Sequence, residues 1–140
     1  MNNIHLSADA SFMFTGCVFG DLGGTIDGLP QDLENVIFAD SMFDYTNFPD
    51  ELLQSAIYGL KNATNRYYCF ANNPYLTKAV IDTDNNIENQ TVNFSYMFRG
   101  DPNLTVVEGI PKSLKSDSNF KAMFRLCSKL KKIYAEEGAN

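Results

Sequence analysis

Two adjacent residues recur along the chain at nearly constant spacing, and no other feature limits the possible folds so strongly. Met-Phe, or the related Cys-Phe, stands at Met13-Phe14, Met42-Phe43, Cys69-Phe70, Met97-Phe98 and Met123-Phe124. The intervals are 29, 27, 28 and 26 residues, so five copies fill the 140-residue chain. The flanks recur too: GLPQDLENVIFADSMF at 28–43 aligns without a gap with GIPKSLKSDSNFKAMF at 109–124. A Leu follows the first member of the pair by seven residues at Leu76, Leu104 and Leu130, whereas Gly20 and Pro49 hold that place in the first two copies. A unit this short cannot bury an apolar face alone; it must stack on a neighbour, which places the same positions in one continuous core.

Within a copy, Phe120, Met123, Phe124 and Cys127 fall at i, i+3, i+4 and i+7, the spacing of one helix face. Phe124 is therefore expected in the core, where truncation to Ala costs roughly 3–5 kcal/mol. The segment after the Leu has strand alternation: in Leu76 to Asp82, Ala79 and Ile81 share one side, and Lys78, Val80 and Asp82 the other. Pro30 and Pro111 lack an N–H and have a fixed φ, which suits the turn after such a strand. The predicted unit is strand, turn, short helix, turn.

The strings SYMFRGDPNLTVV (95–107), AMFRLCSKLKKI (122–133) and SFMFTGC (11–17) resemble the BspA-like leucine-rich repeats of bacterial surface proteins and of some phage proteins. The resemblance spans about residues 7–134. It implies an α/β fold, a leucine-rich-repeat solenoid of about five strand–turn–short-helix repeats of 26–29 residues, and a role in surface adhesion or host-matrix binding. Thr46, Asn73 and Asp101 stand where that family has Cys, and residues 48–66 lack the strand pattern, so the second repeat is irregular. The chain is expected to form a single domain, with 1–12 as an N-terminal capping segment and 135–140 as a tail.

Composition narrows the partners. A formal charge of −6 with a pI near 4.6 argues against nucleic acid, which requires clustered cations, and the basic cluster Lys129, Lys131 and Lys132 has the pattern of a solvated edge. Cys17, Cys69 and Cys127 are widely separated, without CxxC spacing, so neither a disulfide framework nor a metal site is expected. No apolar run reaches the roughly 20 residues of a membrane span, and the N-terminal residues lack the pattern of a signal peptide. Extracellular, cell-surface or virion placement follows from the resemblance alone.

Several motifs invite chemistry and have plainer readings. Arg99-Gly100-Asp101 is an integrin-type triplet, yet it occupies an ordinary slot of the repeat, that of Thr15-Gly16-Cys17 and Arg125-Leu126-Cys127. The sequons at Asn62, Asn89, Asn93 and Asn103 suit turns between copies. His5 has no evident catalytic partner, and the acidic run 82–86 lacks the Gly and Glu of a calcium loop. The glycines of 20–24 lack the Lys-Ser/Thr of a phosphate loop. No cofactor and no catalytic set is expected.

Function is then expected on the surface of a non-enzymatic protein-binding or adhesion module. The open face of the strands supplies Lys78, Val80, Asp82, Val106, Glu108, Lys132 and Tyr134, for a protein or surface-glycan ligand. The alternative is a structural virion or assembly subunit. There the last copy ends on Ile133-Tyr134 without a polar cap, and homo-oligomerisation or packing on another subunit covers the C-terminal end.

Overall fold

A computed structural model describes residues 6–17, 29, 32–81, 86–111 and 113–135. Its regular elements are one α-helix, α1 (Asp50–Gly59), and the strands β1 (Lys78–Val80), β2 (Val106–Ile110) and β3 (Lys132–Ala135), with a one-turn 3-10 helix at Leu33–Asn35. The strands form one parallel sheet in the order β1-β2-β3. The result is a small α/β domain, and it corrects the expected leucine-rich-repeat solenoid of five strand–turn–short-helix repeats. Among the described residues regular strands occur in three places, and no α-helix carries a Met-Phe pair.

The pairs sit instead in double turns, and backbone geometry explains why. In every copy the residue before the pair and the residue two after its Phe have positive φ: Phe12 and Gly16, Ser41 and Tyr45, Tyr68 and Asn72, Tyr96 and Gly100, Ala122 and Leu126. Left-handed residues at this spacing cannot belong to a right-handed helix. Alternate N–H groups close the turns locally, as Met13 N–H to Ala10 O, Thr15 N–H to Phe12 O and Cys17 N–H to Phe14 O. The intervening N–H groups of Phe12, Phe14 and Gly16 donate to the carbonyls of Asp40, Met42 and Asp44 in the next copy, at 2.8–2.9 Å. The same register joins the second copy to the third, the third to the fourth and the fourth to the fifth. Each double turn is thus one layer, and in the first four layers its N–H groups are satisfied by local turns or by the next layer.

Packing follows the layers. Phe14, Phe43, Phe70, Phe98 and Phe124 form a column of stacked rings with centroids 5.2, 5.2, 6.2 and 6.0 Å apart. Phe43, Phe70 and Phe98 are fully buried, as are Met42, Cys69 and Met97 beside them. Phe124, at the end of the column, is only half-buried, which corrects its expected place in the full core.

Helix α1 occupies the stretch whose strand pattern is missing. Leu53, Ala56, Ile57 and Leu60 recur at i, i+3, i+4 and i+7 and all are buried. Asp50 and Glu51 place negative charge at the helix start, where the N–H groups lack intrahelical partners. The Asp50 carboxylate also accepts from the Thr77 N–H at 2.9 Å and the Thr77 hydroxyl at 2.7 Å, which ties the helix to the entrance of β1. Burial disfavours ionised Asp50, but these bonds and the Gln54 amide outweigh it and lower its pKa.

In the sheet, Lys78, Val106 and Lys132 are aligned, and so are Ala79, Val107 and Ile133. Ala79 and Val107 of the second row are buried in the core. The register of β2 with β3 slips between Val107 and Ile110, where Gly109 adopts φ +74°, a conformation glycine takes without strain.

Candidate protein-interaction surface

The open face of the sheet holds most of the residues expected there. Lys78, Val80, Val106 and Glu108 are half-exposed, and Lys132 and Tyr134 are exposed; Asp82 lies outside the described residues. Lys78 Nζ lies 3.4 Å from Glu108 Oε1. With both side chains substantially solvated, that pair is worth little. The face is short, and Lys78 and Glu108 are paired across it, whereas Lys132 has no ion pair among the described residues.

The interior holds a polar column three residues after each Phe: Cys17, Thr46, Asn73, Asp101 and Cys127. The Thr46 hydroxyl donates to Asn73 Oδ1, the Asn73 N–H to Asp101 Oδ1 at 2.8 Å, and the Asn73 side-chain amide to the Phe43 and Ala71 carbonyls. Asp101 is fully buried, and burial pushes its pKa up to about 9 despite the Asn73 N–H, with nearby Asp44 adding to the rise. The carboxyl of the Arg99-Gly100-Asp101 triplet therefore holds layers together and is not displayed to a partner.

The thiols are likewise structural. Burial raises Cys69 far above the ordinary thiol range and Cys127 to about 11, and the Cys127 thiol donates to the Phe98 carbonyl at 3.0 Å. In native protein a maleimide is expected to leave Cys69 untouched until denaturant is added, with any modification confined to the half-exposed Cys17 and Cys127. Mass spectrometry after a timed quench reads this directly, and rapid labelling of Cys69 in native protein would contradict its placement.

The sequon asparagines serve turns and junctions. Asn62 and Asn103 donate to the Glu34 and Pro74 carbonyls, Asn89 Oδ1 accepts from Ser113, and Asn93 Oδ1 accepts from the Ser95 N–H. His5, residues 20–24 and Pro30 lie outside the described residues, as do 82–85 of the acidic run. Among the described residues no group of three His, Cys, Asp or Glu side chains could hold a metal ion.

A stronger surface lies at the C-terminal end of the stack. In the fifth layer the Met123, Arg125 and Cys127 N–H groups close the local turns, but those of Ala122, Phe124 and Leu126 have no acceptor among the described residues. In every earlier layer the equivalent groups donate to the next layer. Beside them Ile133 is 50% exposed although it continues the row of the fully buried Ala79 and Val107, and Leu126 is 61% exposed. An open groove of about 540 Å³, lined by Ile110, Pro111, Leu114 and Phe120 among others, adjoins this end. Sequence pattern placed Ile133 in an apolar position; the row of free N–H groups becomes visible only once the layers are seen to bond through alternate residues.

No protein family, curated protein or solved structure matches the chain. The resemblance to BspA-like repeats rests on its quoted motifs alone. Among the described residues no helix is long and apolar enough to cross a membrane.

Proposed function

We propose that this protein is a non-enzymatic protein-binding module that joins another polypeptide through the C-terminal end of its layered core. The row of free N–H groups on Ala122, Phe124 and Leu126 carries this reading, because three parallel donors next to exposed Leu126 and Ile133 match a partner backbone with carbonyls at the same spacing. Recognition of this kind takes affinity from main-chain hydrogen bonds and specificity from flanking apolar contacts, as in strand addition to a sheet edge. On a bacterial surface or in a phage particle, the settings the motif resemblance suggests, such an end serves adhesion or subunit attachment.

The sheet face is the lesser candidate, since it is small and two of its charges, Lys78 and Glu108, are paired with each other. A synthetic peptide of residues 93–107, which carries an interior layer's sequence, is a suitable probe. Saturable binding is expected, with slowed amide exchange at Ala122, Phe124 and Leu126, and both effects should disappear in Leu126→Asp and Ile133→Asp. If exchange at these amides stays unchanged at saturating peptide, the C-terminal end is not a binding surface.

A further inference from the structure

We infer that the partner at this end is a second copy of the same chain, docked head to tail, an inference that rests on the C-terminal end being a contact surface. The two ends of the stack are complementary in backbone, apolar surface and charge. At the first layer the carbonyls of Ser11, Met13 and Thr15 accept no hydrogen bond among the described residues. They are the counterparts of Asp40, Met42 and Asp44, which accept from the preceding layer. A second copy in the repeating register would therefore receive Ala122 N–H on Ser11 O, Phe124 N–H on Met13 O, and Leu126 N–H on Thr15 O. The same placement sets Phe14 of one copy on Phe124 of the other and extends the ring column.

The apolar surfaces agree with this. Met13 is 39% exposed, whereas Met42 and Met97, its equivalents inside the stack, are fully buried. Phe12 at one end and Ile133 at the other are also open to solvent, whereas Ala79 and Val107, the row equivalents of Ile133, are fully buried. Covering such groups is favourable in proportion to the apolar area removed from water.

Charge selects the orientation. All 11 Lys and Arg residues follow position 60, whereas the first 60 residues carry nine of the 17 carboxylates. Among the described residues the end layers repeat this polarity. The first has Asp9, with Asp40 and Asp44 in the layer behind it; residues 119–135 hold exposed Lys121, Arg125, Lys129, Lys131 and Lys132 and no acid. Two C-terminal ends would repel, and so would two N-terminal ends; only the head-to-tail arrangement brings opposite signs together. A contact between unlike surfaces does not saturate at a dimer, so it continues into a ring or a filament.

Sedimentation of the full chain tests this. Mass is expected to rise with concentration over about 10–500 µM, and to fall back as salt increases from about 0.05 to 0.5 M. Met13→Arg places a cation on the acidic end, and Leu126→Asp places an acid on the basic end; each variant alone should stay monomeric. An equimolar mixture should form a one-to-one dimer and nothing larger, because each variant keeps one good end. A monomeric wild type across this range would overturn the second copy as partner, and peptide binding at Ala122, Phe124 and Leu126 would show whether the end still binds another chain. A wild-type dimer that does not grow, or a mixture that stays monomeric, would overturn the head-to-tail arrangement. Circular dichroism of each variant separates loss of contact from loss of fold.

Discussion

Phe98→Ala should lower unfolding free energy by about 3–5 kcal/mol, the range for removing a fully buried aromatic side chain. Phe98 is stacked on Phe70 on one side and Phe124 on the other, so its removal opens a void inside the column that neither neighbour can fill without leaving its own layer. Phe124→Ala should cost much less, about 1–2 kcal/mol by area, because that ring has one stacked neighbour and is half-exposed. Urea unfolding of both variants under one set of conditions provides the comparison. Equal losses would mean that Phe124 is as enclosed as Phe98 and that the column does not end there.

The second large effect concerns pH. Asp101 is protonated in the fold up to about pH 9, whereas in the unfolded chain it ionises in the ordinary carboxylate range near 4. Between those values the folded state binds one more proton than the unfolded state. Its contribution is fully present below about pH 4 and is lost as pH rises toward 9, at up to about 1.4 kcal/mol per pH unit. Asp101→Asn keeps an acceptor for the Asn73 N–H without an ionisable group, so it should be more stable than wild type at pH 8 and lose most of the alkaline decline. Burial also raises Asp40 and Asp44, which act in the same direction. Thermal melts of both proteins from pH 5 to 9 decide the matter; parallel curves would show that Asp101 is not the group responsible.

The five-repeat solenoid read from the recurrence of Met-Phe is not the fold, which is a small α/β domain with one helix and three strands. What the recurrence did mark is the phenyl column and the entrances of the strands after Leu76, Leu104 and Leu130. The local conformation of the pairs also differs from the helix expected. Phe120, Met123, Phe124 and Cys127 have helical spacing, but a double turn with left-handed residues at Ala122 and Leu126 brings positions of the same spacing inward. Apolar period alone does not distinguish the two. Helix α1 could have been found, because Leu53, Ala56, Ile57 and Leu60 follow helical spacing; the expectation of one unit repeated five times obscured it. The sheet-face residues were recognisable from alternation. The free N–H row was not, because it belongs to the backbone and is independent of residue type.

The left-handed positions also bear on how a layer acquires its shape. Eight of the ten are occupied by residues other than glycine, among them Phe12, Tyr45, Tyr68 and Leu126, for which this conformation costs about 1–2 kcal/mol each relative to the right-handed one. A layer detached from its neighbours would lose the alternate hydrogen bonds that hold those residues and would relax into other turns. Its conformation is copied from the layer beside it. Growth of such a structure therefore needs a template, and an end that is already folded, such as the fifth layer, is the natural place for the next segment of chain to take form.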